Sequence, residues 1–300
     1  MATRDLSIGM MFLLQTIIGI LGNFSLVYRF LFLYFTGCKF RSTDLILKHL
    51  TVANLLVILS KGVPETMAAF GLKLFLKDIG CKLVFYVHRV GRDVSIGTTC
   101  LLSVFQVIMI SPSISRWAEL KVKAPNYTGA SNILCWILNM MLNILVPFHM
   151  TDKRNNTNIK KKIDHGYCYA VFSGNIITQS LYILLVLFSH GFCLVLMVWA
   201  SGSMIFLLHR HQQRVQYIHR NNLAPRSSLE IRATQSILVL VSTFVSLWTL
   251  SSIFLICLAF FNKPSLWLKN ISTLIAACFP TVSPYILMSH DPRVSRFCFA

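Results

Sequence analysis

Apolar residues along this chain fall into seven long runs, at about 6–28, 45–63, 83–110, 130–149, 177–208, 234–260 and 271–288, separated by polar and basic segments. A run of about 20 apolar residues carries a helix across roughly 30 Å of hydrocarbon, so the pattern predicts seven transmembrane helices. The first run is free of charge and too long for a signal-peptide core, so it is expected to stay as an uncleaved span. The fifth is long and proline-free, with Ser189, His190 and Gly191 as its one place to loosen. The second ends at SKGVPETM, where Pro64 kinks or terminates the helix and Lys61 and Glu65 stand four apart as an interfacial pair. No internal repeat shows, and the expected organisation is one seven-helix domain over 1–300.

The third run breaks the pattern. Cys81 to Ile110 reads CKLVFYVHRVGRDVSIGTTCLLSVFQVIMI, with His88, Arg89, Arg92 and Asp93 in its first half and no charge from Val94 onward. A charge inside a span costs several kcal/mol unless it faces a bundle interior or a wet cavity. This helix is therefore expected to lie at the centre, shielded by the other six. Arg89 and Asp93 stand four apart and are expected to pair along one face, with His88 and Arg92 at the same spacing on the next. The outer half of this span is the expected wall of a cavity, with Phe85 and Ile96 as apolar lining.

Composition agrees: 55% of the residues are hydrophobic and 13% charged, where a soluble domain has about 25% charged. The net charge of +18 sits in short loops beside apolar runs, which points to lipid headgroups and cytoplasmic partners rather than nucleic acid. Nine cysteines, most of them inside apolar runs, show no C-x-x-C or Cys/His cluster, so neither a metal nor a cofactor is expected. Neither H-E-x-x-H nor G-x-S-x-G occurs, so no enzyme is expected.

Basic residues divide almost evenly between the two sides, fourteen against twelve, and do not orient the bundle. Two other features do. Cys81 and Cys168 lie outside the apolar runs on one side, where a disulfide needs an oxidising compartment. The sequon at Asn155 lies in the same connection as Cys168, and glycosylation demands that side be lumenal, whereas the Asn126 sequon falls on the other side. The expectation is an extracellular N-terminus, a cytoplasmic C-terminus and a plasma-membrane location.

Seven spans, a Cys heading the third, a Cys after the fourth and Trp136 within the fourth resemble a G-protein-coupled receptor. The strings HLTVANLLVILSKGVPETMAAFG, CKLVFYVHRVGRDVSIGTTCLLSVFQVIMISP, SRWAELK and FPTVSPYILMSHDPR resemble, more closely, the vomeronasal type-1 pheromone receptor family, over essentially the whole chain. That resemblance implies a small pheromone-type ligand in the outer half of the bundle, a heterotrimeric G protein as partner and no catalysis. It also implies switch positions. Asn54 stands where the rhodopsin-like class has a carboxylate, Gln106 where it has the D-R-Y arginine, and Ser283-Pro284-Tyr285 replaces N-P-x-x-Y, with no proline in span six. A sodium site and an arginine lock are therefore not carried over. Cys298 is a candidate for acylation. Two other readings are a bitter-taste-type receptor, a distant resemblance, and a proton-coupled transporter or channel using Asp93, Arg89 and His88 as a relay.

Overall fold

A computed structural model describes residues 3–37, 41–72, 76–111, 118–152, 162–164, 167–171, 176–218, 226–260 and 266–289. The sequon at Asn155, the basic residue Arg220 and the tail cysteine Cys298 lie outside the described residues.

Among the described residues, seven helices are long and apolar enough to cross a membrane. Span one is α1 (Thr3–Phe35). Span two is α2 (Ser42–Val57), a π turn over Ile58–Gly62 and α3 (Val63–Ala69). Spans three to seven are α4 (Asp78–Ile110), α5 (Ala118–Leu142), α6 (Ile176–Ile218), α7 (Arg226–Phe260) and α8 (Leu266–Ser289).

The second span differs from the sequence expectation, since its helix passes Pro64 and reaches Ala69. Proline removes one donor and crowds the carbonyl four residues back. Here the π turn widens the helix just before it, which is how such insertions are absorbed. Ser60 Oγ caps two of the nearby carbonyls, those of Leu56 and Val57. The fifth span, in turn, runs unbroken through Gly191.

Helix α4 sits at the centre and touches α2, α5, α6 and α7. Its uncharged half alternates apolar residues with hydroxyls, and those hydroxyls bond back within the helix: Thr98 to Val94 O at 2.8 Å, Thr99 to Ser95 O at 2.7 Å and Ser103 to Thr99 O at 2.8 Å. Their polarity is thus spent locally, and the face can join the main core with Leu50, Ile96, Leu102, Met197, Leu240 and Phe279. Phe244 meets Phe279 edge to face at 4.6 Å, tying α7 to α8. The outward faces carry large apolar side chains such as Leu14 and Leu184, as lipid requires.

Pro284 in α8 frees a carbonyl that the bundle then satisfies. Pro284 cannot donate to Pro280 O, and Asn23 Nδ2 of α1 donates to that oxygen instead at 2.9 Å. Two further bonds fasten the same helices, Tyr285 Oη to Ile18 O at 2.9 Å and Gln15 Nε2 to Leu274 O at 2.9 Å. The close approach requires Gly22, because a Cβ there would stand 2.7 Å from the Tyr285 ring and 2.9 Å from Pro284 Cγ.

The connection after span four, read from sequence only as a long loop, holds a small antiparallel sheet. β1 (Met150–Asp152) and β2 (Lys162–Asp164) flank β3 (Cys168–Val171), with Asp152 opposite Cys168 and Asp164 opposite Tyr169. Cys168 at the head of β3 is bonded to Cys81 in the first turn of α4, with Cα atoms 5.9 Å apart. Around that bond Ala68, Tyr167, Leu76, Val84 and Phe85 form a separate apolar cluster. The sheet is thereby pinned over the charged end of the central helix.

Two outcomes test this packing. Gly22→Leu is expected to lower stability by roughly 1–3 kcal/mol through overpacking, read as a fall in thermal midpoint in nanodiscs. Gly191→Ala, at a site with open space around its Cβ, leaves the midpoint unchanged or slightly raised, and equal behaviour of the two would refute the close α1–α8 approach. Non-reducing peptide mapping should yield one linked fragment containing Cys81 and Cys168. Breaking that 87-residue closure should cost about 4.6 kcal/mol in the loop-entropy picture, seen as loss of surface-expressed protein in Cys81→Ser.

Candidate ligand-binding site

Asp93 is 5% exposed, deep in the half of the bundle that carries the disulfide. A carboxylate so placed needs donors on both oxygens, and it has them. Arg92 Nε reaches Oδ1 at 3.1 Å, His190 Nε2 reaches the same oxygen at 3.2 Å, and Asn143 Nδ2 reaches Oδ2 at 2.9 Å. Asn143 Oδ1 accepts from Tyr182 Oη at 3.0 Å. His190 meets the Trp248 ring edge-on at 6.3 Å. One carboxylate therefore joins α4, the turn that ends α5, α6 and, through Trp248, α7.

The expected pair of Arg89 with Asp93 does not form. Both carboxylate oxygens are taken by the adjacent Arg92 and by donors arriving from α5 and α6, and Arg89 makes no ion pair among the described residues. It lies near Arg92 and Tyr182, within reach of their electrostatics. Arg92 has turned to Asp93 rather than towards His88, whose buried Nδ1 has no hydrogen-bond partner. Lys61 and Glu65 do not close an ion pair either. The π turn holds more residues per turn than an α-helix, so positions four apart no longer stack. Their charges still act on one another, and Arg89 and Arg92 also act on Lys61. Lys61, Glu65, His88, Arg89, Arg92 and Asp93 thus share one half-buried polar region under the sheet.

Of the apolar positions expected to line this region, Phe85 packs against Tyr167, ring centroids 5.8 Å apart, in the cluster beneath the sheet. Burial, reinforced by the Glu65 charge, pushes the Tyr167 hydroxyl well above its usual pKa, so it remains a donor. Ile96 lies about three turns deeper along α4, 2% exposed in the main core.

The expected switch positions occupy the bundle's middle and far end. Asn54 is 1% exposed, donates from Nδ2 to Ser283 Oγ at 2.9 Å and accepts from Ser95 Oγ at 2.9 Å. This neutral triad joins spans two, three and seven, and no carboxylate enters it. Pro284 and Tyr285 fasten α8 to α1 as described, and Gln106 is buried near the far end of α4. Among the described residues no group of three His, Cys, Asp or Glu side chains is arranged to hold a metal.

His190, Tyr182, Asn143 and Trp248 complete the Asp93 network, and sequence reading did not assign them to the site. In the sequence His190 stands out only with Ser189 and Gly191, as a place where span five could loosen. A lone imidazole inside a charge-free apolar run was the available signal, because such a group in a membrane marks a function or a partner.

The match to the model of the vomeronasal organ pheromone receptor family runs over residues 6–300. The chain is similar to the human (Homo sapiens) vomeronasal type-1 receptor 4, with 57% identity covering 100% of this chain and 99% of the relative. It is similar to human vomeronasal type-1 receptor 3, with 58% identity over 99% of this chain and 94% of the relative. A more distant likeness, at 29% identity over 95% of this chain and 90% of the relative, is the olfactory receptor class A-like protein 1 of Danio rerio. Among solved structures, squid rhodopsin superimposes with a TM-score of 0.74 at 15% identity, covering 98% of this chain and 79% of that one, which shows a shared fold. This multi-pass membrane receptor belongs to the vomeronasal organ pheromone receptor family.

Proposed function

We propose that this receptor takes a small, mostly apolar pheromone-type ligand in the disulfide-bearing half of the bundle and activates a heterotrimeric G protein from the opposite end. The observation that carries the reading is the Asp93 network, which gathers donors from three helices onto one carboxylate beside Arg89, Arg92 and His88. A ligand acting there meets four spans at once. A receptor signals when ligand affinity differs between two arrangements of the helices, and a hub shared by four helices is where such a difference arises. The family membership supports the ligand class and the G-protein partner.

The same reading puts the disulfide end outside the cell. A cystine requires an oxidising compartment, and the Asn155 sequon, taken as glycosylated, lies in the same connection as Cys168. The N-terminus is then extracellular and the C-terminus cytoplasmic. Arg210, Arg214, Arg220, Arg226 and Arg232 fall in and around the connection between spans five and six, where positive charge faces the G protein and the anionic leaflet.

Calcium imaging in reporter cells, against fractions of volatile and non-volatile semiochemicals, tests the assignment. A response that needs the co-expressed G protein supports it, while a current or proton flux in vesicles lacking any G protein supports a channel or transporter instead. Asp93→Asn is expected to shift agonist potency by more than tenfold, about 1.4 kcal/mol, at equal surface expression. Dose–response curves that overlay would remove Asp93 from the ligand's reach. Asp93→Asn leaves His190 and the partly exposed Arg92 facing a neutral amide, and leaving such partners unsatisfied costs about 1–3 kcal/mol. Adding Arg92→Gln should therefore recover part of the lost thermal stability, a non-additivity measurable in a double-mutant cycle.

A further inference from the structure

Three thiols that the ligand reading leaves unused meet inside the bundle, one each from α4, α5 and α6. Cys100 is buried in the main core, 6% exposed, and Cys193 packs against the same core. A hydrogen bond joins these two thiols, so the S–H of one points at the sulfur of the other. Cys135 reaches in from α5. Its sulfur lies over Gly97, one turn before Cys100, where a Cβ would stand 2.5 Å away, so a side chain there would push the sulfur off α4. Asn139 Nδ2 donates to the Cys135 sulfur at 3.5 Å and holds it in place. Core packing alone asks for a small apolar side chain at each position. It does not ask for sulfur on three facing helices.

Cys135 and Cys193 are each half-buried. Among the described residues α5 and α6 both pack on α4 and scarcely touch each other. The two sulfurs therefore line a crevice between membrane-spanning helices, and that crevice opens onto acyl chains rather than water. A reagent for these thiols arrives through the bilayer. When one cysteine of a touching pair is oxidised, its sulfenic acid condenses with the neighbouring thiol.

We infer that Cys100 and Cys193 form a modification site, which a lipid hydroperoxide converts into a disulfide joining α4 to α6. The Cys193 sulfur, nearer the crevice, attacks the outer oxygen of the hydroperoxide. The O–O bond breaks, the Cys193 proton passes to the departing oxygen, and a lipid alcohol leaves a sulfenic acid behind. The Cys100 sulfur then attacks the sulfenic sulfur, the S–O bond breaks, and the hydroxyl takes the Cys100 proton and leaves as water. Two thiols thus supply the two electrons that reduce one O–O bond. Exchange with a reducing dithiol restores both thiols.

Position gives the bond its consequence. Cys193 stands three residues beyond His190 on α6, and Cys100 stands seven beyond Asp93 on α4, so both share the helix faces that make the Asp93–His190 contact. A cystine holds its sulfurs ~2.05 Å apart, closer than a hydrogen-bonded pair, and so draws the two helices together along that seam. Resting here on the ligand reading, the oxidised receptor is held in one arrangement of spans three and five.

The test uses the full chain in phosphatidylcholine nanodiscs and needs no agonist, so a failed ligand assignment leaves it intact. A phosphatidylcholine hydroperoxide is added to the bilayer, free thiols are alkylated after denaturation, and non-reducing chymotryptic peptides are mapped. The expected product is one fragment linking Cys100 to Cys193, lighter by two hydrogens than its parts and lost on treatment with dithiothreitol. Glutathione disulfide, an oxidant confined to water, should give at least fivefold less of it. Cys193→Ser should abolish the link and Cys135→Ser should keep it, both at an unchanged thermal midpoint. If a variant misfolds, the comparison of the two oxidants on the unaltered chain decides alone. Cys100 and Cys193 still alkylated after hydroperoxide, single oxidised sulfurs with no link, a bond to Cys135 instead, or equal oxidation by glutathione disulfide would each overturn the assignment.

Discussion

Enclosing one carboxylate is the constraint from which most of this architecture follows. Asp93 is ionised only where several donors replace water, and a single helix can offer one of them, from Arg92. The others must come from elsewhere, and Asn143 and His190 bring α5 and α6 against α4 at one depth. Tyr182 then fixes the Asn143 amide, and Trp248 covers the imidazole. The central position of α4 is thus required by its electrostatics as much as by its apolar face. The cap above it has a separate origin, in a cystine and an apolar cluster that hold the sheet over the polar region.

The seven spans were legible in the sequence because a long apolar run without charge has few alternatives to a membrane helix. Span three's role was legible for the same reason in reverse, since four ionisable groups in one apolar run demand enclosure. Ends were less legible. Pro64 reads as a kink or a stop, and the helix continues past it to Ala69 after a π turn that no local composition announces. The sheet after span four was not legible either, for its three strands have three or four residues each, too short for a period-two pattern, and β1 finds its partner β3 only beyond β2 in the sequence.

Within the site, residue types were readable and partners were not. Spacing of four offered Arg89 to Asp93, but spacing describes only one helix, and the donors that won come from Asn143 and His190, fifty and ninety-seven positions away. The same limit hid the bond from Asn23 to the carbonyl freed by Pro284. A proline announces that a carbonyl is released. It does not say which side chain, 257 positions distant, will take it.

The two ends of the bundle differ in the strength of what holds them. At the disulfide end the contacts are charge-assisted, and each such bond is worth about 1.5–3 kcal/mol. At mid-depth the Asn54–Ser95–Ser283 triad is neutral, and such bonds contribute about 1 kcal/mol each. At the far end Gln106, uncharged and buried, stands where an arginine lock would add an ionic restraint. An equilibrium between two helix arrangements shifts tenfold for each 1.4 kcal/mol. Making or breaking one bond at Asp93 therefore moves the balance by about tenfold to a hundredfold, with no ionic restraint at Gln106 to oppose it.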